Sequence, residues 1–389
     1  MNILPTKLSA LASVRSGGGA PQDPAAFTLT GHPFVRAGSL SKLLDGADEN
    51  SLEKIEPNVA EKNGLQLFPE GTVLFAKSGM SATKGHIHRL RQPAYVVNHL
   101  AALVTHEPRD CAFLLRALQR FSPTALIKDP AYPSIRLGDI EEMEILAPDE
   151  PVERWRIADI LDRADALRTE GREALVQLDT LTRSIFLDMF GDPIANPRGW
   201  PRKPIGKIGK VITGNTPPRE VADYYGSAIE WIKSDNINTP SHYLTRAVEG
   251  LSESGKAVGR IAPRGSILVT CIAGSPDCIG NAAIADRDVA FNQQINAIVP
   301  SDGDTEFLYA QILVGKHLIQ SASTASMKGM VSKSRFEEVL MIFPPIPLQR
   351  EFGRQFEAVD KLARVQFASL AELDALFASL QSRAFRGTL

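Results

Sequence analysis

Only three of the 389 residues are cysteine (Cys111, Cys271 and Cys278). That is too few for a disulfide framework and makes a reducing, cytoplasmic setting the expectation. Long apolar runs are missing too. The opening stretch MNILPTKLSALASVRSGG has no apolar core of the kind a secretory signal or a membrane span needs. Neither sign of charge is in excess: 43 Lys and Arg stand against 45 Asp and Glu, a formal net charge of −2. A generally basic coat is thereby excluded, so any nucleic-acid contact has to use local patches or be shared with a partner. Hydrophobic content of 43% and charged content of 23% are those of a soluble globular protein, long enough here for two or three domains.

Signatures of catalysis are equally scarce. Gly17-Gly18-Gly19 is not followed by the Lys-Ser/Thr that lets a loop cradle phosphates, and it reads as a flexible turn. His86 and His88 sit two apart without further ligands in view. Cys271 and Cys278 have six residues between them, not the two to four of a zinc knuckle. DPAYP (129 to 133) resembles the Asp-Pro-Pro-Tyr loop with which amino-methyltransferases hold a flipped adenine. Ala131 stands where that loop has its second proline, however, and no Gly-rich cofactor loop follows a strand, so the stretch reads as a surface turn. No Ser/His/Asp set at motif spacing and no nuclease-like carboxylate–Lys cluster emerges. The chain does not read as an enzyme, and neither cofactor nor metal is expected.

What the sequence does contain is a duplication. QLDTLTRSIFLDMFGDP (177 to 193) faces ELDALFASLQSRAFRGTL (372 to 389): Leu178, Asp179, Leu181, Ser184 and Phe190 fall on Leu373, Asp374, Leu376, Ser379 and Phe385 at a constant offset of 195. PEGTVLFA (69 to 76) faces PRGSILVT (263 to 270), and IEEMEILAP (140 to 148) faces FEEVLMIFP (336 to 344), at offsets of 194 and 196. Solenoid repeats have much shorter periods. A period this long means two copies of a domain plus its connector.

Each copy has two parts. The first, 1 to 150 and again 200 to 346, is rich in turn residues and short apolar runs. VLFA (73 to 76), YVVNHLAALV (95 to 104), SILVT (266 to 270) and INAIV (295 to 299) read as strands, and 111 to 121 and 306 to 322 as helices. That is an α+β module with a mixed or antiparallel sheet. The second part, 151 to 192 and 347 to 389, turns helical. In steps of four and three, Phe352, Phe356, Val359, Ala363, Gln366, Leu370, Leu373, Phe377, Leu380 and Ala384 are apolar at nine of ten positions, the 3.5-residue repeat of a coiled-coil seam. In the same phase Ile157, Leu161, Ala164, Arg168, Gly171, Leu175, Leu178, Thr182, Ile185 and Met189 are apolar at seven of ten, with a weak spot at Arg168 and Gly171. Two helices with matching single seams are expected to pack on each other. About 33 helical residues make a rod of roughly 50 Å, against roughly 34–36 Å between successive major-groove faces of duplex DNA.

Loops carrying Lys, Arg, Ser, Asn and Gly punctuate the strands at equivalent places in both modules. Phosphates need Lys, Arg or free amides, and bases need bidentate Arg, Asn or Gln. The candidate DNA contacts are Arg36, Lys77, Lys84, His86 and Arg89 in the first module, and Lys233, Asn236, Asn281, Lys328 and Lys333 in the second. Neither module is strongly basic, with 15 Lys and Arg against 17 Asp and Glu in 1 to 150, and 15 against 14 in 200 to 346. Affinity from this chain alone is therefore expected to be modest. AKSGMSATKGHIHRL and TCIAGSPDCIGNAAI follow the same strand and share almost nothing. Unlike loops on a common frame point to two different half-sites, hence a split, asymmetric target.

With SIFLDMFGDPIANPRGWP (184 to 201), TGNTPP (213 to 218) leading to EWIKSDNI (230 to 237), and PPIPLQREF (344 to 352), the chain resembles the specificity subunits of type I restriction-modification systems over nearly its whole length. SGGGAP (16 to 21) leading to PFVRAGSL (33 to 40) is the looser counterpart in the first module. The resemblance implies two target-recognition domains separated by two long helices packed as an antiparallel coiled coil, each domain reading half of a bipartite DNA sequence. It also implies partners: double-stranded DNA, methyltransferase subunits and a restriction/translocase subunit. Those subunits would hold S-adenosylmethionine, ATP and Mg²⁺, and this chain none of them. Two readings from other classes stand beside it: a self-contained DNA methyltransferase or nuclease, and a coiled-coil protein scaffold.

Overall fold

The runs VLFA and ILVT become strands buried along both faces, Val73–Ala76 and Ile267–Thr270, which is why they are apolar at consecutive rather than alternate positions. Each follows a turn whose glycine, Gly71 or Gly265, has φ near +85°, a conformation that favours glycine. The computed structural model describes residues 2–323 and 329–389. The chain divides into two units: Met1–Glu170 with Leu370–Leu389, and Gly171–Ser369.

In the first unit an antiparallel sheet runs in the order Ala12–Ser16, Leu100–Thr105, Val73–Ala76, Ile87–Arg89. A second sheet has the order Lys54–Ile55, His32–Val35, Ala94–Val96, Leu67–Phe68, and is mixed because Phe34 and Val35 run parallel to Tyr95 and Val96. Ile3–Lys7 and Glu144–Pro148 form a separate pair. The second unit repeats all three: Gly209–Thr213, Ile295–Pro300, Ile267–Thr270 and Ala282–Ile284; then Gly250–Leu251, Tyr225–Ile232, Val289–Phe291 and Ile261–Ala262; then Arg202–Pro204 with Leu340–Ile342.

Two local expectations are corrected. YVVNHLAALV is not one strand. Ala94–Val96 lies in one sheet and Leu100–Thr105 in the other, and the chain changes sheets through a turn at Asn98 and His99. The helix expected over 306 to 322 is two, Thr305–Val314 and His317–Ser321. It breaks at Gly315, where Pro193 packs so near that a Cβ would come within 2.9 Å of its Cγ.

The long helices are Pro151–Phe190 and Ile346–Ala384, of 40 and 39 residues. Each extends six residues ahead of its first seam position, Ile157 or Phe352. Proline at the first helical position costs no hydrogen bond there, since that N–H has no intrahelical acceptor. All twenty seam positions are buried or half-buried, whereas apolar residues just off the seam, such as Leu362, Val365 and Leu376, are exposed. In the first unit Ile157 and Leu161 share a core with Phe377, Leu380, Ala384 and Phe385. In the second, Phe186 and Phe190 share one with Phe352 and Phe356. The start of one helix thus meets the end of the other, and the pair is antiparallel.

The weak spot in the first seam is a polar layer. Arg168 lies over the Phe377 ring, 4.3 Å from its centroid, and its Nε donates to Asp374 Oδ1 at 2.6 Å. In the second unit Gln366 Nε2 donates to the Gly171 carbonyl at 3.5 Å.

Candidate nucleic-acid interface

A lattice of backbone hydrogen bonds ties four loops of the first unit to one turn. The Gly18 amide donates to the Val96 carbonyl (2.9 Å), Val97 to Val35 (3.0 Å), Asn98 to Gly18 (2.7 Å) and Lys77 to His99 (2.9 Å), while Ile135 donates to Lys77 (2.7 Å). The second unit reproduces this almost bond for bond. Asn215 donates to Phe291 (3.0 Å), Asn292 to Ile232 (3.0 Å), Cys271 to Gln294 (2.8 Å) and Val331 to Cys271 (2.9 Å). The glycines that open the two modules are part of the lattice. A Cβ on Gly17 would stand 2.1 Å from the Val96 carbonyl oxygen, and one on Gly214 2.1 Å from that of Asn292. Gly17 is therefore required by close approach, which corrects its reading as a flexible turn.

The sequence candidates fall into three groups. Lys77, Lys84 and His86 lie on the segment that leaves strand Val73–Ala76 and returns as Ile87–Arg89. Lys84 is exposed, Lys77 and His86 are half-buried, and none of the three side chains has a hydrogen-bond or ion-pair partner among the described residues. Arg89 is also without one, but it sits opposite Val73, at the far end of the strand from that loop.

Arg36 and Lys233 occupy corresponding positions and carry corresponding contacts. Arg36 Nε donates to Glu53 at 3.1 Å and stacks over Phe27 and Phe34. Lys233 meets Glu249 and lies 5.2 Å from the Trp231 centroid. Each cation is neutralised by a carboxylate in its own unit, and Lys233 helps hold Glu249 below the usual carboxylate range. Asn236, Asn281 and Lys333 are likewise engaged. Asn236 is buried, its Oδ1 accepting from the Lys233 amide (3.0 Å) and its Nδ2 donating to the Arg246 carbonyl (3.0 Å). Asn281 donates to Asn238 at 2.6 Å and accepts from Lys316 at 2.5 Å. Lys333 faces Glu337 one helical turn away. Lys328 lies outside the described residues.

Sequence reasoning passed over the turn at the centre of each lattice, Asn98-His99 and Gln293-Gln294. Asn98, His99 and Gln293 are exposed and Gln294 is half-buried. The available signal was a polar pair recurring at the offset of 195 inside two apolar runs. His99 Nδ1 is 2.7 Å from Ser78 Oγ. Gln293 Oε1 accepts from Thr216, and Gln294 Oε1 from Asn292 Nδ2 at 3.0 Å.

Other polar features serve the fold. DPAYP is a surface turn, with the Ala131 amide on Asp129 Oδ1 (2.9 Å) and the Tyr132 amide on the Asp129 carbonyl (3.2 Å). His88 is buried with its Nε2 2.7 Å from Glu49 Oε1. Burial pushes the Cys271 thiol up to about 12, so it stays protonated and is poorly suited to ligate a metal or attack a substrate. Among the described residues no three His, Cys, Asp or Glu side chains cluster to hold a metal ion, and no helix is long and apolar enough to cross a membrane.

Comparison with known proteins follows the same lines. Residues 197–374 match the family described as type I restriction modification DNA specificity domain. The chain is similar to the type I restriction enzyme HindI specificity subunit of Haemophilus influenzae, with 30% identity over 38% of this chain and 32% of that one. It is also similar to the MjaIX specificity subunit of Methanocaldococcus jannaschii, with 27% identity over 38% and 34%. The matched segment thus spans about a third of each curated relative. Whole-chain likeness comes from solved structures. The type I restriction-modification S subunit from M. genitalium superposes with a TM-score of 0.62 at 14% identity, covering 99% of this chain and 96% of that one. A chain solved for complex assembly and conformational transition of the type I R-M system gives 0.54 at 17% identity, covering 100% and 98%. Residues 197–374, the second module and most of the helix after it, are thus similar to the type I restriction-modification DNA specificity domain, and the chain as a whole has the fold of the M. genitalium S subunit.

Proposed function

We propose that this chain is the DNA sequence-specificity subunit of a type I restriction-modification complex, working in the cytoplasm and performing no chemistry itself. Each module reads one half of a bipartite, asymmetric target. The long helices set the spacing and dock methyltransferase subunits, and a restriction/translocase subunit completes the assembly. The observation that carries this reading is the duplicated lattice, which holds unlike exposed residues at like places. A symmetric target would leave no reason for the loops to diverge. Helix length adds support: 40 residues rise about 60 Å, enough to span successive major-groove faces roughly 34–36 Å apart. The modules' near balance of charge fits a subunit that relies on partners for much of its phosphate contact.

The test is co-expression with the cognate methyltransferase subunit, followed by mapping of methylated sites across the host genome. A split sequence with two unlike halves and a fixed gap is the expected result. Methylation without sequence preference would overturn the proposal, as would methyl transfer by this chain alone. Removing one heptad from both long helices is expected to change the gap and leave the halves intact.

A further inference from the structure

Resting on that reading, we propose that the lattice-bound turn is the base-reading tip of each module, with Asn98 and His99 determining one half-site and Gln293 and Gln294 the other. The backbone of each turn is fixed from neighbouring loops at once, by Gly18, Val35 and Lys77 in one unit and by Asn215, Ile232 and Cys271 in the other. Direct readout needs this rigidity, since a contact held loosely discriminates poorly. What each turn offers outward is open hydrogen-bonding capacity. Among the described residues the Asn98 carboxamide has no partner, and only one atom each of the His99, Gln293 and Gln294 polar groups is engaged.

Second-atom positioning helps as well. Ser78 holds His99 Nδ1, which leaves Nε2 without a partner among the described residues. Thr216 and Asn292 hold the glutamine Oε1 atoms and leave each Nε2 as a donor. Carboxamides pair with the N6/N7 edge of adenine, and a single ring nitrogen suits the N7 or O6 of guanine. The corresponding cations nearby, Arg36 and Lys233, are spent on Glu53 and Glu249, and the unpaired Lys77 and Lys84 of the first module suit phosphate contact, which carries no sequence information of its own. The lattice is constant between the copies and the turn residues are not, as a reader of two different half-sites requires.

The experiment uses the complex assembled with its methyltransferase subunit and compares wild type, Asn98→Ala with His99→Ala, and Gln293→Ala with Gln294→Ala. Methylated-site sequencing reads both halves separately. Each alanine pair is expected to relax one or two base positions in one half only, with discrimination there falling about 10- to 100-fold. A uniform loss of affinity that leaves base preference unchanged in both halves would overturn the assignment. Should an alanine pair destabilise its turn, Asn98→Gln with His99→Gln supplies the readout, because it transplants the second module's pair into the first. A wild-type complex with no sequence preference is a separate outcome that sinks the specificity-subunit reading, and this inference with it.

Discussion

The first unit fastens its stretch of long helix with charge. Buried Arg154 places Nε 3.0 Å from Asp110 Oδ2 and Nη1 3.1 Å from the Pro148 carbonyl, and buried Arg116 bridges Asp162 (2.7 Å) and Asp165 (2.9 Å). At the corresponding positions the second unit uses neutral amides. Gln349 donates to the Pro344 carbonyl (2.7 Å) and accepts from the Asp304 amide (3.0 Å), and Gln311 brackets the Ile342 backbone (3.1 and 2.6 Å). The rings differ too. Ile157 and Leu161 in one unit face the places of Phe352 and Phe356 in the other, where they join Phe186, Phe190 and Phe307 with centroids 4.8 to 6.5 Å apart. One geometry has two chemical solutions, and the positions that must be polar are set by the fold while the kind of polarity is free.

The largest way to break the comparison is Phe190→Ala, which removes a fully buried ring from the aromatic cluster. It is expected to cost about 3–5 kcal/mol and to lower hydrogen-exchange protection in Ile295–Pro300 but not in Leu100–Thr105. Equal losses in both strands would show that the units are not separate.

Next is Asp110→Ala, which leaves the Arg154 guanidinium buried without its counter-ion, at about 3 kcal/mol. Asp110→Asn with Arg154→Gln gives this contact of the first unit the neutral-amide kind of polarity that Gln349 has in the second. Its cost should stay below about 1.5 kcal/mol, because both groups are then neutral and hydrogen-bonded. If the double variant unfolds as readily as the single one in a denaturant titration, the two chemistries are not interchangeable.

Smaller again is the polar layer of the seam. Arg168→Leu with Asp374→Leu should change stability by no more than about 1 kcal/mol, because Asp374 is nearly half exposed and water already screens the pair.

One further effect is confined to acid. Four donors, led by Arg287, hold the Glu230 carboxyl at about 2 against an ordinary 4.5. A depressed folded-state pKa stabilises above the unfolded value and stops doing so as pH falls through the folded one. Between about pH 4.5 and 2 the second unit should therefore lose stability that Glu230→Gln does not lose. The first unit has Pro33 at the corresponding place and should show no such difference. Melting curves that stay parallel over that range would contradict the assignment.

The helix pair was legible because a single 3.5-residue period runs through both copies, and even its flaw at Arg168 and Gly171 marked a real polar layer. Strand order was not legible, since VLFA and ILVT look alike whether they lie at a sheet's centre or its edge. The Asn98-His99 turn was masked by its neighbours. Tyr95, Val96, Val97 and Leu100 are all strand formers, and only the tertiary switch between two sheets breaks the run. Candidate site residues suffered from the opposite problem. Lys233, Asn236 and Asn281 have the residue types that read DNA, but composition cannot distinguish a polar side chain spent on its own backbone from one left exposed.

The first unit is discontinuous: it closes over its helix Asp110–Arg120 with Phe385, which packs against Phe113 and Phe121 at 5.8 and 5.3 Å. The second unit is one continuous stretch. On the ribosome, then, the module made first is the one finished last. Residues 171 to 369 can complete their core as they emerge, while Phe113 waits, partly uncovered, for a segment some 260 positions downstream, a span roughly in line with the high sequence separation that slows folding.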